Sequence, residues 1–415
     1  MRIAIVGAGV SGLTAAHLIA RRHEVTVFEA GDHAGGHTNT IRVDTHDETH
    51  HVDTGFMVFN DRNYPNFETL LARLGVASQP SDMSFSVSDE HGSFEYSSAS
   101  ANGLFAVRRH VLTPWFHRMV AEVVRFQRAA RRLLAHGGHD ELSLRDWLEM
   151  ERFSRPFIER LIVPQVSAVW SADPRQLWSF PARFLAEFFD NHGMLSLTGR
   201  PRWRTVSGGS ARYVEALTAP FRQRIRLGTP VRAVTRGADH VLIGTDSAGT
   251  ERFDQVVIAT HSDQALSILT DASDREREIL GAIPYQDNEA VLHTDARLLP
   301  RRRRAWASWN YHLLSEPRPA PTVTYHMNRL QSLRSDRELC VTLNLTERID
   351  PDRVIRRIPY AHPVYTPSGL RAQLRHAEIS GRERTHYCGA YWGWGFHEDG
   401  VRSGLLVAAA FGERL

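Results

Sequence analysis

Lysine is missing from this 415-residue chain: all 50 of its Lys+Arg positions are arginine. Without a lysine there is no Schiff-base nucleophile, which excludes pyridoxal-phosphate and class I aldolase chemistry. There is also no P-loop lysine, so a Walker-type NTPase is excluded. GC-rich codon usage explains the bias most simply, and the chemical exclusions hold whatever its origin. Cysteine is almost as scarce. Cys340 and Cys388 are the only two, and they provide neither a disulfide framework nor zinc-site spacing. Long apolar runs are lacking too. The run Leu405 to Phe411 is seven residues long, far short of the ~20 needed to span a bilayer. Glycines break the first apolar stretch at once, unlike a secretory signal, so a cytoplasmic chain is expected. The 50 basic residues against 47 acidic ones leave a formal charge of +3, too little to make nucleic acid the main partner. The 42% hydrophobic and 23% charged content is that of an ordinary globular protein of two or three domains.

The first 29 residues are the most informative. Arg2 to Val6 reads as a short buried strand. Gly7-Ala8-Gly9-Val10-Ser11-Gly12 follows, then a helical stretch from Leu13 to Arg21, then a second strand, Glu24 to Phe28, ending at Glu29. This is the dinucleotide fingerprint in the context it requires, with an acidic residue about 20 positions on. Gly7 permits the tight turn, Gly9 lets the backbone approach a pyrophosphate, and Gly12 lets helix and strand pack closely. Free N–H groups at the helix N-terminus favour phosphate, and Glu29 is placed to accept hydrogen bonds from ribose hydroxyls.

The fingerprint does not distinguish NAD from FAD, but later segments do. Gly35-Gly36-His37-Thr38-Asn39-Thr40 and His51-Val52-Asp53-Thr54-Gly55-Phe56 resemble the flavin-containing amine oxidase and phytoene desaturase superfamily. Its members carry a second glycine pair, then Arg and a nearby Thr, along the FAD pyrophosphate. His37 stands where Arg is usual, which predicts a weaker, pH-dependent phosphate contact. Val206-Ser207-Gly208-Gly209-Ser210 matches the glycine pair that returns the chain to the FAD domain. Ile225 to Val234 and His240 to Thr245 alternate like a strand pair, and Phe253 to Thr260 reads as a parallel strand ending in the Ala-Thr signature. Gly389 to Gly404 resembles the flavin-closing end of the family, with a helix start expected near Gly400. Relatives carry an acid straight after the glycine equivalent to Gly389 to hold the ribitol. Here Ala390 and Tyr391 follow, leaving Glu398 and Asp399 as candidates. Carried over position by position, the resemblance implies FAD contacts at Gly7, Gly9, Val10, Ser11, Gly12, Glu29, Ala30, Gly36, His37, Thr38, Gly55, Val231, Thr260, Gly389, Gly400, Val401 and Ser403.

The implied fold is α/β. A Rossmann-like FAD-binding domain of the glutathione-reductase type (1–80, 203–284 and 382–415) would carry an inserted α+β substrate domain (81–202 and 285–381). Gly-Ala-Tyr-Trp-Gly-Trp-Gly-Phe-His-Glu-Asp-Gly, with Thr322 to Gln331, looks like the branch of FAD-dependent oxidoreductases associated with, or fused to, cyclopropane-fatty-acid synthases. That resemblance implies dehydrogenation of a fatty-acyl or other lipid chain by hydride transfer to flavin N5. A small-amine oxidase and a non-catalytic flavoprotein partner of a lipid methyltransferase stay open as alternatives. Amine oxidases of the superfamily usually keep a lysine near N5, and its absence here tilts the choice towards desaturation.

The sequence offers Tyr325, His326, Trp394 and His397 as catalytic candidates, with His293 a further proton carrier. Tyr391, Trp392, Trp394 and Phe396 suggest an aromatic wall facing the ring. No metal site is expected, because His46, His50 and His51 read as a solvated hairpin. Trp115 to Leu134 is helical by period, with Phe116, Met119, Val120, Val123, Phe126, Ala130 and Leu133 on one face and Arg118, Arg125, Arg128 and Arg132 on the other. A core-facing helix with a solvated basic side is the simpler reading, and contact with anionic headgroups on the inner face of the membrane the sharper one. Arg301 to Arg304 admits the same two readings. Trp178, Phe180, Phe184, Phe188 and Phe189 form an aromatic stripe that would be core or an apolar tunnel.

Overall fold

In the computed structural model, which describes all residues except 47, 137–141, 171, 172, 174, 197, 248 and 317, the apolar run Arg2–Val6 is the middle strand of a five-stranded parallel sheet. The strand order is Ile225–Arg226, Glu24–Phe28, Arg2–Val6, Gln255–Ile258, Thr385–Tyr387. Alternation with period two sends Ile3, Ile5, Val25, Val27 and Val257 to one face and Ala4, Val6, Phe28, Val256, Ile258 and Tyr387 to the other, as strands buried on both sides require. The helices Val10–Ile19 and His397–Ala410 cover the first face. A three-stranded antiparallel sheet, Val231–Arg236, Val241–Thr245 and Gly249–Phe253, covers the second.

Ile225 to Val234 is not one strand. Ile225–Arg226 joins the edge of the parallel sheet, and Val231–Arg236 starts the antiparallel one. Between them Gly228 has a φ of 57°, and Pro230 has no N–H to offer a ladder. The strand expected over Phe253 to Thr260 is likewise shorter, Gln255–Ile258.

A second, seven-stranded sheet is built from residues 85–97 and 285–363, in the order Val354–Pro363, Tyr285–His293, Cys340–Leu343, Val323–His326, Trp309–Leu313, Phe85–Asp89, Glu95–Ser97. Its pairs are antiparallel except for Trp309–Leu313 with Phe85–Asp89. The helices Pro114–Ala135 and Ala182–Asn191 share its core, where Phe116, Phe126, Trp147, Phe157, Phe180 and Phe188 are buried. Pro114 opens the long helix at a position where a missing N–H costs nothing.

The arginines of that helix are largely engaged within the protein. Arg118 and Arg125 lie 3.5 and 3.7 Å from the buried Glu122. Arg125 also stacks on Phe153 at 4.2 Å, and Arg132 pairs with Glu151 at 3.1 Å. His46, His50 and His51 lie on the hairpin Thr40–Asp44/Thr49–Asp53, with His50 buried rather than solvated. Among the described residues no helix is long and apolar enough to cross a membrane.

Candidate functional site

A continuous cavity of about 1750 Å³ runs from Gly7, Gly9 and Glu29 to Phe126, Phe157 and Phe189. At its first end Gly7, with a φ of 103°, turns the chain out of the central strand. A Cβ on Gly12 would lie 2.1 Å from the Gly7 carbonyl, so the third glycine is fixed by packing and does not face the cavity. Gly9 is different. A Cβ there would meet no atom within 4 Å, because the bare backbone borders open space at the first turn of the helix Val10–Ile19. That helix has no side-chain cap and no acid in its first turn, so its free N–H groups remain available to an anion.

The second glycine pair packs against the first. Gly35 donates to the Ala8 carbonyl at 2.7 Å, and a Cβ on Gly36 would come within 3.2 Å of Gly9 Cα. The Glu29 carboxylate accepts from the Ala8 and Gly31 N–H groups, each at 2.8 Å, which fixes it on the cavity wall with lone pairs to spare. Ala30, Gly55, Val231 and Thr260 line the same cavity.

His37 is neutral here. Its ring stacks on Tyr360 at 4.8 Å, with His362 at 5.2 Å and His261 at 6.3 Å. Burial, with those histidines and His397, holds its pKa well below 6.5. A desolvated base among like-charging neighbours loses its proton, so His37 presents a neutral ring to the site. Among the described residues its buried Nε2 has no hydrogen-bond partner. This orphaned atom, the open space over Gly9 and the anchored Glu29 together fit a dinucleotide cofactor. The neighbouring His362 is oriented by Asn288, whose amide donates to Nδ1 at 2.9 Å and is itself held by Asn344. In that tautomer Nε2–H is left as a donor.

The C-terminal helix starts at His397, not near Gly400. Phe396 is the N-cap residue, and the Asp399 carboxylate accepts from the Trp394 and Phe396 N–H groups while pairing with Arg402. Burial pushes Asp399 up to about 6. Glu398 accepts from the N–H groups of Asn66 and Phe67 and so caps the helix Pro65–Leu74. Neither carboxylate lines the cavity: both are committed to helix ends, and neither takes up the ribitol role proposed from the sequence. Gly400, Val401 and Ser403 sit behind the wall. A Cβ on Gly400 would meet Val10 Cγ1 at 2.6 Å, while Ser403 Oγ accepts from the N–H of the cavity-lining Gly389 at 3.0 Å. Thr38 is also behind the wall, with Oγ1 2.6 Å from the Tyr213 hydroxyl.

Of the catalytic candidates, Tyr325, Trp394 and His397 line the cavity and His326 does not. His326 bonds Glu338 at 2.7 Å and packs edge-on against Trp306. His293 is buried in the sheet, bonded to Thr342 at 2.7 Å. His397 stacks on Phe56 at 3.6 Å, its Nε2 lies 2.6 Å from the Tyr213 hydroxyl, and burial lowers its pKa to about 3. Tyr391, Trp394 and Phe396 face the cavity while Trp392 does not. Trp394 stacks on Phe184 at 4.4 Å, and Phe188 and Phe189 of the aromatic stripe also reach the wall.

Sequence reasoning missed Tyr365, whose buried hydroxyl on the cavity wall has no partner among the described residues; no motif surrounds it. It also passed over Asp53 as an individual residue. Fully buried, Asp53 accepts from Thr40 at 2.6 Å, the Ser210 N–H at 2.9 Å and Gln331 at 3.0 Å, and burial raises it to about 6. Its place between the hairpin and the Gly208-Gly209 loop was the available signal. Among the described residues no group of His, Cys, Asp or Glu could hold a metal ion.

The model of the flavin containing amine oxidoreductase family matches residues 10–293. Over 45 residues the chain is 51% identical to a 4,4'-diapophytoene desaturase (4,4'-diaponeurosporene-forming) of Staphylococcus aureus (strain Newman); that stretch is 11% of this chain and 9% of the desaturase. The cyclohexylamine oxidase of Brevibacterium oxydans IH-35A superposes with a TM-score of 0.70 at 17% identity, covering 99% of this chain and 98% of that one. A CLA-producing fatty acid isomerase from P. acnes superposes with a TM-score of 0.69 at 18% identity, covering 98% of each chain. At these identities the structural likeness is one of fold.

Proposed function

Because the chain belongs to the flavin containing amine oxidoreductase family, we propose that it is the FAD-dependent oxidoreductase of a fatty-acyl or other long-chain lipid substrate, which it dehydrogenates. The cofactor is FAD, which when bound supplies the two-electron acceptor of the reaction. The chain's own residues do the holding. Glu29 receives the ribose hydroxyls, the first N–H groups of the helix Val10–Ile19 take the pyrophosphate, and His37 and His362 border it as neutral rings.

One observation carries the lipid reading: the size and chemistry of the cavity beyond the nucleotide end. Ligand sites usually occupy about 300–1,000 Å³, and this cavity is about 1750 Å³, which leaves room for a long substrate beside the cofactor. Among the described residues, the lining drawn from 83–201 includes Phe85, Met119, Val123, Phe126, Phe157 and Trp170, contains no carboxylate, and carries one arginine, Arg200. An apolar wall of this kind binds an acyl chain by burial and keeps water from the reacting carbon. Tyr325, Trp394, His397 and Tyr365 border the cavity as uncharged groups that orient a chain without presenting it a charge. The missing lysine supports the same reading, since amine oxidation in this family usually uses one.

The test is anaerobic mixing of FAD-loaded protein with an acyl phospholipid or with a primary amine. Bleaching of the flavin's visible absorbance by the lipid is the expected result. Bleaching by the amine alone would replace the reading with amine oxidation. No bleaching with either, together with stable co-purification of a lipid methyltransferase, would assign a non-catalytic partner role.

A further inference from the structure

The segment Arg108–Leu112 is a single 3-10 turn leading through Thr113 into the long helix Pro114–Ala135. It presents a tip that folding leaves uncovered: Leu112 is 88% exposed, Val111 47% and Trp115 36%. Isolated exposed apolar residues are ordinary, but three large ones within five positions form a patch. Arginines from three separate parts of the chain gather round it. Among the described residues, Arg108 and Arg109 donate to neutral groups, the carbonyls of Phe105 and Ser93 and the side chain of Asn102. Arg160 lies over the rings of Phe94 and Trp115 at 4.8 and 4.9 Å.

The 301–304 run arrives from the other side. Arg301 and Arg302 donate to the carbonyls of Glu90 and Gly92, in the turn that also holds Ser93. The Arg304 carbonyl would lie 3.0 Å from a Cβ on Gly103, in the helix Ala101–Leu104. The nearby acids are already committed, Glu95 to Arg302, Glu90 to Arg348 and Asp89 to the Ser93 N–H. Among the described residues, Arg108, Arg109, Arg160, Arg303 and Arg304 have no carboxylate within ion-pair distance.

We propose that this apolar tip and its collar of arginines dock the protein on the surface of an anionic phospholipid bilayer. Tryptophan and leucine at the acyl boundary with arginines at headgroup level is the arrangement an interfacial segment requires. A protein partner would have to supply acids to the collar and an apolar pocket to the tip. An anionic bilayer supplies both over any contact area, so charge complementarity favours it. The long helix then joins the surface to the cavity. Trp115 lies in its first turn, and Met119, Val120 and Val123 further along form part of the cavity wall, about 6 to 12 Å away by helical rise. That the docked bilayer is also the source of substrate rests on the acyl-lipid function proposed above; the docking itself does not.

The experiment is co-sedimentation of the FAD-loaded full chain with phosphatidylcholine vesicles, with and without roughly one-third phosphatidylglycerol. Expected is binding to the anionic vesicles that weakens with salt, and little to the neutral ones. Arg304→Gln should weaken partitioning roughly fivefold, and Leu112→Glu by about tenfold or more. Both side chains are exposed, so melting temperature and flavin content should stay at wild-type values and exclude misfolding as the cause. Equal binding to both vesicle types, or wild-type binding by Leu112→Glu, would overturn the proposal. So would a protein partner lost in these variants while vesicle binding persists. Flavin bleaching by detergent-dispersed lipid, unchanged in Leu112→Glu, reports separately on the acyl-lipid function.

Discussion

Three glycines in one motif do different physical work, and substitution should separate them. Alanine at Gly9 meets no protein atom within 4 Å. Gly9→Ala is therefore expected to leave the melting temperature of the cofactor-free protein unchanged while weakening FAD binding about tenfold or more, the worth of a charge-assisted hydrogen bond. Gly12→Ala brings a Cβ to 2.1 Å from the Gly7 carbonyl, and overpacking of that kind costs about 1–3 kcal/mol of stability. A thermal melt without cofactor and a flavin fluorescence titration distinguish the two, and equal behaviour would refute the assignment. Glu29→Ala should also weaken FAD, while leaving the Ala8 and Gly31 N–H groups without their acceptor. These roles were legible in the sequence because they are backbone requirements within 29 residues. The state of His37 was not. The rings packed round it, Tyr360, His362 and His261, come from distant parts of the chain, and the lowering of its pKa by burial and by the neighbouring histidines cannot be read from its own motif.

Between elements, two helices show how much a periodic pattern conveys and where it stops. The long helix was expected over Trp115 to Leu134 and spans Pro114–Ala135, because an apolar stripe at helical spacing leaves little choice. Its basic side was harder to read. Glu122 stands three and four positions from Arg125 and Arg118, a spacing visible in the sequence, but its burial is a tertiary fact. Glu122→Gln should lower stability by about 1–3 kcal/mol, since the carboxylate also accepts from the Ser154 N–H at 3.1 Å. Unchanged urea unfolding would show those arginines to be merely solvated. The C-terminal helix starts three residues before Gly400, at His397. Gly400 and Gly404 are instead the contact with the helix Val10–Ile19, where a Cβ on Gly404 would come within 2.5 Å of the Ser11 carbonyl. Gly404→Ala should therefore force the two helices apart, costing about 1–3 kcal/mol and reducing flavin retention together with melting temperature, unlike Gly9→Ala.

Across the whole molecule, titration couples the two sheets to pH. Alternating patterns disclosed strands but not the order of the seven-stranded sheet, nor that it would bury histidines among its polar pairs. Burial lowers His293 and His386 to about 4 and His397 to about 3, from 6.5. His293 shows the reason in its geometry: Nδ1 accepts from the Asp295 N–H at 3.0 Å and Nε2 bonds Thr342, so a second ring proton would break the first bond. A base whose pKa is depressed on folding binds more protons when unfolded. Its contribution is intact above 6.5 and is lost as the pH falls towards the folded value. At pH 5 each of the three costs about 2 kcal/mol relative to high pH. Asp53 and Asp399, raised to about 6, act in the opposite sense. They take up protons in the folded state as pH falls from about 7 to 5, and each returns on the order of 1 kcal/mol. His192, His312 and His362, also lowered to about 4 by burial, add to the histidine side, so the balance between pH 7 and pH 5 is a loss of several kcal/mol, a large share of the roughly 5–15 kcal/mol typical of folded domains. Urea unfolding of the cofactor-free protein should therefore show its midpoint falling steadily over this window. In His293→Gln the slope should be shallower by one histidine's share, since glutamine cannot take the proton. A flat profile from pH 7 to 5, or an unchanged slope in that variant, would mean that these rings gain their protons without unfolding.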